Sequence, residues 1–239
     1  MKRDASILIS HAPGETQPYL LWTLPEPMKT LSWALQGGGS HLAQKIVWIQ
    51  VGPYDLTRER CPQKFLQEKL HSMGAAEALG LMTSANIEHY TQTVATVGDI
   101  TATAVATVGL GNALRAGDPS HRGKPVGTIN CVCAVDHALS FEAMLEALVI
   151  SAEAKTAAVL ESGLCSAMSG LPATGTGTDC HVIACLDRPT MSPYAGKHTE
   201  IGSAIGASVF HAVQKGVQRW MQLHPDHPLM LDRVQAAMK

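Results

Sequence analysis

The residues best suited to chemistry sit in the second half of the chain, in glycine-led polar segments. Ala173-Thr174-Gly175-Thr176-Gly177-Thr178-Asp179 alternates glycine with threonine and closes on a carboxylate. Alternating glycines free the backbone, so successive N–H groups can point into one anion-binding concavity. The hydroxyls of Thr174, Thr176 and Thr178 both donate and accept, and Asp179 adds an acceptor at the end of the loop. A flexible turn rich in threonine is the other reading of this composition.

A second segment, Val126-Gly127-Thr128-Ile129-Asn130, is a polar entry into an apolar strand. Asn130 would lie inside a sheet and would need hydrogen-bond partners there. Val108-Gly109-Leu110-Gly111-Asn112-Ala113-Leu114 looks like a dinucleotide fingerprint that follows a strand and opens a helix. Leu114 stands where the third glycine belongs, and only Asp136 offers a distant acidic residue, so a Rossmann site is excluded. Gly109 and Asn112 remain as a close backbone approach to a ligand. Gly123-Lys124 and Gly196-Lys197 lack the rest of a P-loop, which leaves ATP binding without support.

Histidines supply the remaining candidates. His41 follows the triple glycine Gly37-Gly38-Gly39, and His198 comes just before a long helix that Thr199 would cap. His224-Pro225-Asp226-His227-Pro228 reads as an exposed turn of little weight. No HExxH pattern occurs and the six cysteines lack ligand spacing, so neither a metal nor a resident cofactor is expected. Glu142, Glu146 and Glu153 share approximately one helix face. Glu153 and Lys155, two residues apart, point to roughly opposite sides and cannot pair.

The elements that must carry these residues alternate in type. Short β-patterned runs cover residues 5–9, 19–24, 46–51, 101–108, 126–135 and 181–186. Helical spacing covers 62–73, 141–160 (capped by Ser140) and 200–223, with an amphipathic piece at 229–238. The small residues of 101–108 imply that another element packs closely on that strand. The expected fold is α/β, a single layered domain over 1–239 with a mixed β-sheet packed with helices.

Composition limits the partners. Of 239 residues, 46% are hydrophobic and 16% charged, which fits a large core, and 18 basic against 20 acidic residues give no field that would select nucleic acid. No apolar run approaches the roughly 20 residues of a membrane span, and the N-terminus lacks a signal-peptide core. With cysteines in apolar segments, the expectation is a cytoplasmic protein with reduced thiols and neither nucleic acid nor membrane as partner.

Several of these segments, in order, resemble the adenosylcobinamide amidohydrolases (CbiZ type). They are Thr107 through Asp118, Gly127-Thr128-Ile129-Asn130, Glu153-Ala154-Lys155-Thr156-Ala157-Ala158, Ala173 through Asp179, and Ala195-Gly196-Lys197-His198-Thr199. The likeness runs from about residue 80 to 215, with looser agreement around 31–39. It implies hydrolysis of the amide joining a corrin ring to aminopropanol, with the cobalt corrinoid as substrate and adenosylcobyric acid as product. On that resemblance Asp179, His198, Thr178 and Glu153 are the expected catalytic residues. Gly38, Gly39, Gly109, Asn112, Gly127, Thr128, Asn130, Thr174, Gly175, Thr176 and Gly177 are the expected substrate contacts. A corrinoid carrier without catalysis and a phosphate-handling transferase are the competing readings.

Overall fold

The computed structural model describes residues 6–12, 18–52, 54–56, 60–120 and 127–229. Eight strands form one mixed sheet. They are β1 (Ser6–His11), β2 (Pro18–Ser32), β3 (Gly39–Gln50), β4 (Leu79–Thr83), β5 (Thr91–Val97), β6 (Ile100–Val108), β8 (Ile129–Val135) and β10 (Cys180–Leu186). The order across the sheet is β4-β3-β2-β10-β8-β6-β5, with β1 paired to β2. The pairs β3/β4 and β8/β10 are parallel and the others antiparallel. Two-residue strands β7 (Ala113–Leu114) and β9 (Gly175–Thr176) form a separate small ladder.

The expected α/β class with a mixed sheet is what the fold shows, and its departures from expectation have local causes. Strand β2 is far longer than residues 19–24, although it contains Pro25 and Pro27. The chain accommodates them in a bulge, where β2 advances from Thr23 to Met28 while β3 moves only from Lys45 to Ala43. One edge of β2 pairs with β1 up to Thr23 and with β10 from Met28, so the prolines fall where no ladder donor is needed. The short β4 and the threonine-rich β5 escape the sequence pattern. No helix follows Gly111; the chain turns into β7 instead. Most of the segment 229–238 lies outside the described residues.

Helices α2 (Phe141–Glu161) and α3 (Glu200–Leu223) start at the expected caps, where Ser140 Oγ accepts from Ala143 N–H and Thr199 Oγ1 from Gly202 N–H. They pack on one face of the sheet through Ile129, Cys131, Cys133 and Val135 of β8, among others. The close neighbour expected for β6 is α3. Thr91 and Thr93 of the adjoining β5 donate to the carbonyls of Ala212 and Ser208 on the same helix, at 2.7 and 2.5 Å. Helix α1 (Pro62–Ser72) covers Val47 and Ile49 of β3. Trp22, Trp48, Leu81, Val132 and Val182 pack together on the other face of the sheet. With a core on each side, β8 is buried along its whole length and reads as a near-continuous apolar run.

That second face is concave. Strands β4 and β8 are four steps apart in the sheet order, yet Asn130 Nδ2 on β8 donates to Met82 O on β4 at 2.7 Å. The sheet curls until its β4 edge meets the start of β8, and a cleft opens at that seam.

Candidate active site

The cleft has a volume of about 580 Å³. Trp33, Leu35, Leu81 and Met82 form much of its apolar wall, and Asn112, Thr128, Asn130, Thr178 and Asp179 gather its polar groups. An apolar hollow with a few convergent polar groups is the usual form of a small-molecule site.

The polar end is framed by an ion pair. Lys155, buried on α2, sets Nζ 2.9 Å from Asp179 Oδ2 and 2.9 Å from Thr174 O. Asp179 also accepts from Thr176 N–H at 3.1 Å, from Thr176 Oγ1 at 2.5 Å and from Ile129 N–H at 3.1 Å. These donors fill most of the acceptor capacity of a carboxylate, about four sites. The arrangement makes Asp179 a clamp between the Gly/Thr loop and the first residues of β8. Gly175 is required beside it, because a Cβ there would strike the carboxylate and come within 2.5 Å of Lys155 Nζ. Trp33 Nε1 donates to Asp179 O at 2.8 Å and ties the end of β2 to the same point.

The hydroxyls next to the clamp are directed by backbone carbonyls. Thr128 Oγ1 donates to Thr178 O at 2.7 Å, and Thr178 Oγ1 donates to Gly127 O at 3.1 Å. Asn130, found inside the sheet as expected, donates through Nδ2 to Met82 O, and its Oδ1 lies 3.5 Å from Thr128 Oγ1, whose proton is directed to Thr178 O. Asn112 differs. Its side chain is 9% exposed, its Oδ1 is buried without a partner, and its amide has no hydrogen bond among the described residues. The missing side chain of Gly127 makes room for it, since a Cβ there would lie 2.5 Å from Asn112 Oδ1.

The structure places the expected site residues in five different settings. Asn112, Gly127, Thr128, Asn130, Gly177, Thr178 and Asp179 line the cleft. Thr174, Gly175 and Thr176 stand behind it as its frame, and Thr174 Oγ1 accepts from Ala116 N–H at 2.8 Å. Gly109 lines an adjoining cavity. Gly38 and Gly39 lie at the exposed turn into β3 and line neither cavity. Glu153 and His198 border a different depression, on the helical face, where Glu153 pairs with Lys197 at 2.6 Å. The opposite facing of Glu153 and Lys155 is as their spacing requires.

Trp33, Lys155, Ser151 and His181 carry weight that the motifs alone did not reveal. A signal existed: Met144, Ala147, Ser151, Lys155 and Ala158 recur every three or four residues on the buried face of α2, and a lysine in such a stripe needs a partner. Ser151 Oγ lies 2.7 Å from His181 Nδ1, the spacing of an activated hydroxyl. Both are sealed from solvent, at 0% and 1% exposure. Burial, reinforced by the Lys155 charge, pushes the His181 pKa down to about 4, so this imidazole is neutral. Among the described residues no group of three or more His, Cys, Asp or Glu side chains could hold a metal ion. No described helix is long and apolar enough to cross a membrane.

Sequence relationships define the class as amide hydrolases. Residues 5–225 match the adenosylcobinamide amidohydrolase family, a longer span than the ordered motifs alone suggest, and the chain belongs to that family. A relative named adenosylcobinamide amidohydrolase from Methanosarcina mazei is 31% identical over 167 residues, covering 66% of this chain and 75% of that protein. One of the same name from Halobacterium salinarum is 34% identical over 108 residues, 45% of this chain and 43% of that protein. The structure of an L-aminopeptidase D-Ala-esterase/amidase from Ochrobactrum anthropi, a variant Ntn-hydrolase fold, aligns with TM-score 0.41 and 12% identity over 89% of this chain and 82% of that one.

Proposed function

We propose that the chain hydrolyses the amide between the corrin ring and the aminopropanol arm of adenosylcobinamide, giving adenosylcobyric acid and free aminopropanol for cobalamin salvage. The cobalt corrinoid is the substrate, and the reaction uses neither nucleotide nor resident cofactor. The observation that carries this reading is the cleft itself, an apolar hollow at a sheet seam whose polar end holds an Asn112 amide with no partner among the described residues beside two directed hydroxyls.

A corrin is broad and mostly apolar with amide arms around its rim, and the cleft has the same division. Asn112 donates to the substrate carbonyl oxygen, where negative charge grows as the tetrahedral intermediate forms. Thr128, with its own proton turned toward Thr178 O, keeps lone pairs free to accept from and orient a water. The water oxygen bonds to the carbonyl carbon, the C–N bond breaks, and a water proton leaves on the departing amine. The Lys155–Asp179 pair holds both halves of this wall in position. Glu153 and His198, on the helical face, take no part in this scheme.

Incubation of the purified protein with adenosylcobinamide and no ATP, followed by mass spectrometry, tests the proposal. Aminopropanol and adenosylcobyric acid are expected. Tight binding with unchanged corrinoid mass would show a carrier instead, and turnover that requires a nucleotide would show a transferase.

A further inference from the structure

One large side chain of the cleft wall is both exposed and fixed. Trp33 follows the last residue of β2 and stays 52% exposed, and Leu35, 47% exposed, lines the same cleft. Apolar surface of this kind, set beside a cluster of polar groups, marks a place where a ligand packs. A half-exposed side chain left to solvent samples several rotamers, yet this indole is secured at two points.

Both points trace back to α2. Ser151 and Lys155 lie four residues apart on its buried face, about one helical turn. Lys155 Nζ holds the Asp179 carboxylate at 2.9 Å, and Asp179 O accepts from Trp33 Nε1 at 2.8 Å. Ser151 Oγ lies 2.7 Å from His181 Nδ1, and the indole leans on that imidazole with ring centroids 5.5 Å apart and planes 43° apart. Turning the His181 ring would break its bond to Ser151, so the imidazole is a fixed backing. The tryptophan therefore has its polar edge tied and its ring braced from one helix, and it lines the cleft in that pose. Neither Ser151 nor His181 enters the hydrolytic scheme, and the brace gives this buried pair a role.

We propose that Trp33 is the platform for the corrin macrocycle, with Ser151, His181 and Lys155 as the positioning residues that set it. The assignment rests on the corrinoid part of the proposed function. The broad conjugated ring packs on the indole and gains dispersion contact over a large area. Asp179 holds Trp33 through its carbonyl and the first residue of β8 through its carboxylate. Contact between ring and indole therefore places the scissile arm against Thr128 and Asn112 in a set register, so that binding far from the reacting bond orients it.

Two measurements test it. Labelling with 5-fluorotryptophan gives a fluorine signal for each of the four tryptophans, and the one missing in Trp33→Phe belongs to Trp33. Titration with adenosylcobinamide should shift that signal more than the other three, and Ser151→Ala should move or broaden it before any corrinoid is added. A Trp33 signal that stays in place up to millimolar corrinoid would overturn the platform, and one untouched by Ser151→Ala would overturn the brace. In the second, the steady-state constants for adenosylcobinamide are compared. Trp33→Ala should raise KM about tenfold with kcat within about twofold, the pattern of lost binding rather than lost chemistry. Trp33→Phe keeps a ring and lacks only the N–H, so it should recover most of the affinity. Equal losses in the two variants would assign the effect to the Asp179 hydrogen bond and overturn the platform. If the Trp33 signal responds but no aminopropanol is released, the platform stands and the hydrolase reading fails.

Discussion

Lys155 Nζ and Asp179 Oδ2 lie 2.9 Å apart with side chains only 10% and 12% exposed, joining the middle of α2 to the end of the Gly/Thr loop. Removing one partner of such a pair leaves the other charge buried, at a cost of about 3 kcal/mol. Asp179→Asn and Lys155→Met should each lower stability by roughly that amount in urea unfolding. The double variant should lose far less than the two effects added together. Additive losses would show that the two charges act independently.

The sealed His181 sets a pH dependence of stability. Its pKa of about 4 in the folded chain lies below the ordinary 6.5, so the unfolded chain takes up the proton first. This contribution is complete above pH 6.5 and is lost as pH falls toward 4, with a ceiling of about 3 kcal/mol. The difference in unfolding free energy between wild type and His181→Gln, followed from pH 7 to pH 4, isolates it from the carboxylates. Parallel curves would place the titration on other groups.

Asn112 separates stability from function. Its buried Oδ1 lacks a partner among the described residues, and replacing such a group with an apolar one of similar size is nearly neutral or stabilising. Asn112→Leu should therefore keep or raise the melting temperature while kcat/KM falls by about a hundredfold, the scale of a lost oxyanion donor. A loss of stability with catalysis intact would reverse the assignment.

Thr128→Val preserves shape and removes the hydroxyl that donates to Thr178 O. Turnover should drop by about a hundredfold with little change in corrinoid affinity. An equal loss of affinity would mean that Thr128 only binds.

His198 borders the helical-face depression with Glu153 and Lys197. His198→Ala should keep turnover within about twofold and leave the acidic limb of the pH profile in place, as expected for a surface change. Loss of both would make His198 the base and require the active site to be moved to that face.

What could be read in the sequence follows from where the information resides. Ser140, Thr199 and the apolar spacing after them give α2 and α3 almost to the residue, because caps and helical periodicity are local. The Gly/Thr loop, Gly127 and Asn130 stand out for the same reason, since glycine beside polar residues is unusual at the mouth of an apolar strand. The curl was not legible. Met82 contributes through a backbone carbonyl that any residue would supply, and Pro25 with Pro27 hides the length of β2. Lys155 looks like an ordinary helix lysine until its partner 24 positions later is known, and the motif containing it gives equal prominence to Glu153, which faces away.

The seam closed by Asn130 and Met82 also bears on how the chain reaches its folded form. The cleft draws Trp33, Met82, Asn112, Thr128 and Asp179 from segments spread across most of the sequence, and the Trp33–Asp179 hydrogen bond alone spans 146 positions. Each such contact requires a long loop to close before it returns any stabilisation, which raises contact order and slows folding. Helix α2 and the β5–β6 hairpin, built from local contacts, can form early, whereas the cleft has no partial version. It comes into being only when β2 and β10 have met, so a nascent chain has no complete cleft until β10 has been synthesised and joined β2.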